Sequence, residues 1–189
     1  MTPELIVVGA SLGGLHALSA MLGALPRDFP APLVIAQHRA KDSPGELSGF
    51  LQDHSALPVS EVVDKAPITP ARVYLAPADY HVLIEAGTFA LSTEGPVIHA
   101  RPSIDVLFES AADVYAARAI GVILTGASQD GAFGLARIKQ RGGLALVQSP
   151  DTAECPVMPR AAIAATQVDW ILPLADIAPQ LISICCNSS

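Results

Sequence analysis

The chain has 189 residues, 51% hydrophobic and only 15% charged, with a formal net charge of −7 at pH 7. That length suits one domain with a full core, and that composition suits a sheet buried on both faces. The acidic balance speaks against nucleic acid and gives no attraction to an anionic membrane surface; no apolar run approaches the ~20 residues that would insert in a membrane.

Strand-like and helix-like segments alternate. Leu5–Val8 is an apolar run of strand length, followed at helical spacing by Leu15, Leu18, Met21, Leu22 and Leu25, with Pro26 and Pro30 ending the helix. Leu33–Ala36 is a second apolar run and ends at Gln37-His38. Ser43-Pro44-Gly45-Glu46 has the form of a helix start, with Ser43 as cap and Pro44 in first position, and Leu47, Phe50 and Leu51 supply a buried face. In the middle, Val59–Val63, Arg72–Leu75, Val82–Glu85 and Thr88–Leu91 read as short strands, the last two joined at Ala86-Gly87. They predict an antiparallel hairpin insert or edge, with no linker to mark a second domain.

The alternation then resumes. Ser103 can cap a helix carrying Ile104, Leu107, Phe108, Ala111 and Tyr115. Gly121–Leu124 is a very apolar strand; Phe133, Ala136, Arg137 and Gln140 trace the next helix, stopped by Gly142-Gly143. Leu144–Val147 is a strand, Pro159–Ala165 begins a helix, Val168–Leu172 is the last strand and Ala175–Ile184 the terminal helix. Continuous apolar strands separated by helices predict an α/β fold: one domain with a doubly wound, mainly parallel sheet flanked by helices. Cys155, Cys185 and Cys186 form neither a Cys-x-x-Cys pair nor a zinc spacing, so no metal site is expected. With an N-terminus that enters a strand almost at once, they predict a protein of the reducing cytoplasm without a signal peptide.

The first strand stops at Gly9-Ala10-Ser11-Leu12-Gly13-Gly14. A serine on a strand-to-helix turn presents its hydroxyl at the carboxyl end of a sheet, beside backbone N–H groups able to hold an anion or oxyanion. The spacing is neither the hydrolase elbow nor a P-loop, which would need a lysine. Reacting groups gather at the carboxyl ends of strands in such a sheet. Those ends supply Ser11, His38 and Asp130, the parts of a nucleophile, a base and its orienter. Each has a plainer use alone: Ser11 as a helix cap, His38 as a polar strand end, Asp130 as a turn residue or cap. Their weight comes from the set.

The ordered set of Gly9-Ala10-Ser11 with Gly13-Gly14, Gln37-His38, Val73-Tyr74-Leu75-Ala76-Pro77 with His81, Arg101-Pro102-Ser103-Ile104-Asp105, Leu124-Thr125-Gly126 with Asp130-Gly131, Gly142-Gly143 and Met158-Pro159-Arg160-Ala161-Ala162 covers almost the whole chain. It resembles the catalytic domain of the chemotaxis protein-glutamate methylesterases (CheB-type), which also act as protein-glutamine deamidases. The family's catalytic residues fall on Ser11, His38 and Asp130. The resemblance implies hydrolysis of γ-glutamyl methyl esters on the cytoplasmic helices of methyl-accepting chemoreceptors, with release of methanol and no cofactor or metal. It also implies a bacterial source. Backbone N–H groups at Leu12 and in the Gly126-Ala127 loop would be oxyanion donors. Arg160 would face the substrate. Arg101 and Asp105 would either form a substrate wall or pair locally to cap the next helix.

The chain departs from the family at three positions near the site: Leu12 replaces a small polar residue, Arg39 a methionine, and Ala127 a methionine. Arg39 would either depress the pKa of His38 or attract an acidic receptor segment. Residues 1–189 are expected as one methylesterase-like catalytic domain without a receiver domain. The chain is then an excised domain, part of a fusion, or a free-standing enzyme partnered by a separate receiver or scaffold protein. A catalytically degenerate module that binds a receptor or signalling partner, and a nucleotide-binding domain, are the competing classes.

Overall fold

The computed structural model describes residues 3–41 and 46–186; the expected Ser43 cap and Pro44 lie outside them. The elements in chain order are β1 (Leu5–Ala10), α1 (Gly14–Gly23), β2 (Leu33–Gln37), α2 (Leu47–Asp53), β3 (Val59–Glu61), β4 (Val73–Leu75), β5 (His81–Ile84) and β6 (Phe89–Ser92). They are followed by α3 (Ile104–Tyr115), β7 (Ala119–Ile123), α4 (Ala132–Gln140), β8 (Leu144–Gln148), α5 (Val157–Ala165), β9 (Trp170–Leu172) and α6 (Leu174–Cys186).

Seven parallel strands form one sheet in the order β3-β4-β2-β1-β7-β8-β9. Alternation along each strand divides the core in two. Ile6, Val8, Ala10, Leu33, Ile35, Ile120 and Val122 face one layer with α1 and α6, represented by Leu18, Leu22, Ile177 and Leu181. Leu5, Val7, Val34, Ala36, Ile123 and Val147 face the other, against Leu107 and Phe108 of α3, Leu135 and Ile138 of α4, and Met158 of α5. Burial on both faces is why these strands read as continuous apolar runs.

The middle of the chain differs from the expected antiparallel insert in one respect. Among the described strands only β5 and β6 are antiparallel, as a separate two-stranded sheet. β3 and β4 are parallel and extend the main sheet beside β2. Their crossover leans on the hairpin through Ile68 N–H to Gly87 O (2.9 Å) and Phe89 N–H to Ala66 O (3.1 Å). Strands of three residues carry no periodicity from which direction could be read.

Two helix faces also shift. In α4 the buried stripe is Ala132, Leu135 and Ile138, whereas Phe133 is 66% exposed. In α2 only Leu51 is fully buried, and Phe50 stands on the surface.

The chain winds from β1 through β2 toward one edge and then returns to β7 on the other side of β1. The strand order therefore reverses between β1 and β7, where open α/β sheets form a crevice at their carboxyl ends.

Candidate active site

Parallel register sets Ser11 and His38 side by side. Ala10 pairs with Gln37 at the ends of β1 and β2, and His38 N–H continues the ladder to Ala10 O at 2.9 Å. Gln37 ties the two ends together: its Nε2–H₂ donates to Ser11 O and to His38 O, both at 2.9 Å. Across the switch point Ser11 N–H donates to Thr125 O (3.0 Å), and Thr125 Oγ1 donates to Leu12 O (2.9 Å).

Glycine is needed twice for these close approaches. A Cβ at position 14 would fall 2.0 Å from Gln37 Oε1, and one at position 126 would fall 2.7 Å from Met158 Cε and 2.9 Å from Ser11 Cβ. Gly126 is thus flush against the serine turn.

Asp130 follows β7 in the turn before α4 and is fully buried. Its Oδ2 accepts from His38 Nε2 (2.7 Å) and Ile104 N–H (2.7 Å), and its Oδ1 from Ser103 Oγ (2.9 Å) and Asp105 N–H (3.0 Å). Burial pushes this carboxyl up, but the bonds from His38 and from the Asp105 and Ile104 N–H groups outweigh it and hold the group below the ordinary carboxylate value. An ionised carboxylate can only accept, so His38 carries its proton on Nε2. That leaves Nδ1 as the basic nitrogen of the neutral ring.

His38 and Asp130 therefore meet directly. Ser11 stands at the adjoining strand end, half-buried, and its Oγ makes no hydrogen bond to His38 among the described residues. Such contacts often tighten only when substrate binds. The N–H groups of Leu12 and Ala127 have no protein acceptor among the described residues, while that of Gly126 is held by Cys155 O at 3.1 Å.

The remaining expected residues fall into distinct positions. Arg39 turns into the protein: its Nη2 donates to Glu61 Oε1 (2.7 Å) and Ala76 O (2.9 Å), with the side chain only 7% exposed. Glu61 and the end of β4 take up the guanidinium, while Arg39 lines both clefts beside His38; among the described residues its Nε and Nη1 have no acceptor. Arg101 does not pair with Asp105. It clamps Asp79 and the carbonyls of Thr93 (2.8 Å) and Glu94 (2.9 Å), bracing a loop. Asp105 instead caps α4, accepting from Gly131 N–H (2.9 Å) and Gly134 N–H (2.7 Å). Arg160 is exposed on α5.

Two clefts open beside His38. One, of about 620 Å³, is lined by Arg39, Lys41, Asp79, His99 and Arg101. The other, of about 390 Å³, is more apolar, with Leu15, Leu47 and Phe50. Sequence reasoning missed Gln37 and Thr125 as the residues that lash the strand ends together. The signal for Gln37 was a polar residue closing an otherwise apolar strand.

A serine, a histidine and a buried aspartate at the carboxyl ends of a doubly wound sheet define a class, the α/β serine hydrolases. Within that class the chain belongs to the CheB methylesterase family, whose description matches residues 6–181. It is 48% identical over 185 residues to a Leptospira interrogans protein provisionally named protein-glutamate methylesterase/protein-glutamine glutaminase, covering 97% of this chain and 96% of that one. An Anaeromyxobacter dehalogenans protein-glutamate methylesterase/protein-glutamine glutaminase is 44% identical over 174 residues, or 92% of this chain and 51% of its own length. The crystal structure of the Thermotoga maritima CheB methylesterase catalytic domain superposes with a TM-score of 0.90 at 33% identity, covering 97% of this chain and 99% of that one.

Proposed function

We propose that this protein hydrolyses γ-glutamyl methyl esters on chemoreceptors, and deamidates receptor glutamines by the same route, in chemosensory adaptation. The observation that carries the reading is the Nε2 bond from His38 to a buried, ionised Asp130 at the strand end beside Ser11. Ser11 Oγ attacks the ester carbonyl and His38 Nδ1 takes its proton. The tetrahedral intermediate places its oxyanion on the N–H groups of Leu12 and Ala127. Collapse expels methoxide, which His38 protonates to methanol, leaving an acyl-enzyme. Water, deprotonated by His38, then releases the glutamate side chain. For glutamine the leaving group is ammonia.

The apolar and cationic clefts on either side of His38 receive the polypeptide around the reacting side chain. Leu15 and Phe50, 44% and 38% exposed, offer it apolar contact without reorganising the core. No helix among the described residues is long and apolar enough to cross a membrane. The substrate segments would be the cytoplasmic helices of methyl-accepting chemoreceptors, and a receiver or scaffold protein would bring the enzyme to them.

The test is methanol release from methylated receptor cytoplasmic fragments, with ammonia release from the amidated fragments alongside. Turnover supports the enzyme. Binding of the fragments without methanol or ammonia would instead support a catalytically inert receptor-binding module.

A further inference from the structure

We infer that Ser103 is a positioning residue for this reaction, acting through Asp130; the inference rests on the roles proposed above for Ser11, His38 and Asp130. From sequence, Ser103 is the N-cap of α3, and it does cap: its Oγ accepts from Val106 N–H at 3.4 Å. That bond is long. The shorter contact of the same oxygen is to Asp130 Oδ1 at 2.9 Å. The hydroxyl has one proton, Val106 N–H can only donate, and ionised Asp130 can only accept. The proton is therefore committed to Asp130.

Ser103 is itself held in place. It is completely buried, and its N–H donates to His81 Nδ1 at 3.1 Å. Because Nδ1 accepts, His81 is neutral with its proton on Nε2, which donates to Gly95 O at 3.1 Å. His81 is 2% exposed, so this anchor lies within the protein. Donation thus runs outward from Ser103, from its N–H through His81 to Gly95 O and from its hydroxyl to Asp130, which also takes the Nε2–H of His38.

Among the described residues the Asp130 carboxylate receives four donors. Two are backbone N–H groups, of Ile104 and Asp105, which no side-chain substitution removes. The third is His38. Ser103 Oγ is the one remaining side-chain donor, and it sits on the carboxylate oxygen opposite the one that holds His38. Its bond opposes rotation of the carboxylate about its Cβ–Cγ axis, keeping Oδ2 aimed at Nε2 and Nδ1 free for the serine proton.

The test separates the cap from the positioning bond. Glycine is nearly as good an N-cap as serine but has no hydroxyl, and threonine retains one. Ser103→Ala, Ser103→Gly and Ser103→Thr are compared for kcat and KM in methanol release. In the resting proteins, the proton resonance of His38 Nε2–H and its ¹⁵N shifts are compared as well. The expected result is at least a tenfold loss of kcat with KM within twofold in Ser103→Ala and Ser103→Gly. The His38 Nε2–H signal in both is moved or broadened by exchange, and both readouts are near wild type in Ser103→Thr.

Wild-type kcat and an unchanged His38 signal in folded Ser103→Gly would overturn the inference. So would a loss of activity in Ser103→Gly matched by an equal loss of folded protein. The resonance does not depend on turnover, so absence of methanol from the wild-type enzyme would overturn the proposed function while leaving the Ser103 inference to be decided by the spectrum.

Discussion

Asp130 and Asp105 exchange helix ends: Asp130 accepts the Asp105 N–H at the start of α3 (3.0 Å), and Asp105 accepts the Gly131 N–H at the start of α4 (2.9 Å). Two carboxylates so close are driven apart in acidity. Burial, with Asp130 and Glu109 as neighbouring negative charges, lifts Asp105 to about 6 against the pull of the Gly134 and Gly131 N–H groups. Asp130 is held low. One of the pair is therefore kept as the charged partner of His38, and the other gives way first on acidification.

These directions set opposite pH dependences. Asp105 binds its proton more tightly folded than unfolded, where its value is about 3.9. Its ionisation thus weakens the fold as pH rises from about 4 to 6. Asp130 contributes stability above about pH 4 that is lost as pH falls further through its lowered folded value. Asp105→Asn keeps an oxygen for the Gly131 and Gly134 N–H groups and removes the charge. In urea unfolding it should match or exceed the wild type at pH 7.5, with the advantage gone below pH 4. Parallel stability curves across pH 4 to 6 would contradict the assignment.

Asp130→Asn should fold yet lose roughly 10⁴-fold in kcat. An amide that presents its NH₂ to His38 reverses the tautomer, placing the proton on Nδ1 where the base is needed, and sets the same NH₂ against Ile104 N–H, so some stability is lost with the activity. Steady-state methanol release checks this. The same ionised Asp130 implies that the acid limb of the wild-type profile does not belong to this residue.

Gly126→Ala places a methyl against Met158 Cε and Ser11 Cβ, at 2.7 and 2.9 Å. Met158 can give way, but Ser11 is fixed by its own backbone bond to Thr125. The expected outcome is a loss of roughly 10² in kcat, the scale set by a misplacement of about 1 Å. Adding Met158→Ala relieves only the contact that could already yield and should leave most of the loss in place. Kinetics of the single and double variants decide this.

Arg39→Met should leave methanol release within about threefold of wild type and stability within about 1 kcal/mol. The guanidinium braces Glu61 and Ala76 O, and two of its nitrogens are buried without partners among the described residues, so an apolar side chain of similar length is an adequate replacement. Glu61 is exposed enough to be hydrated when left alone. A large rise in KM for receptor fragments would instead make Arg39 a substrate contact.

Much of this was legible in the sequence because buried parallel strands announce themselves as apolar runs and end where chemistry collects. Leu5–Val8, Leu33–Ala36 and Gly121–Leu124 located Ser11, His38 and, one turn later, Asp130. What stayed hidden depends on contacts between distant segments. Nothing local to Arg39 signals Glu61, 22 residues on. Nothing local to Asp105 chooses Gly131 and Gly134 over neighbouring Arg101. The parallel pairing of β3 with β4 was hidden because their crossover is a loop resting on the β5–β6 hairpin instead of a helix. Phe133 misled because an exposed aromatic at helical spacing looks like a core position.

The measurement closest to the central claim is methanol release from methylated receptor fragments by wild type and Ser11→Ala, with thermal unfolding of both. Ser11 Oγ holds no partner among the described residues, so the substitution should change stability by less than about 0.5 kcal/mol. Methanol from the wild type and none from an equally stable Ser11→Ala is the predicted result. Methanol from a folded Ser11→Ala protein would contradict the account.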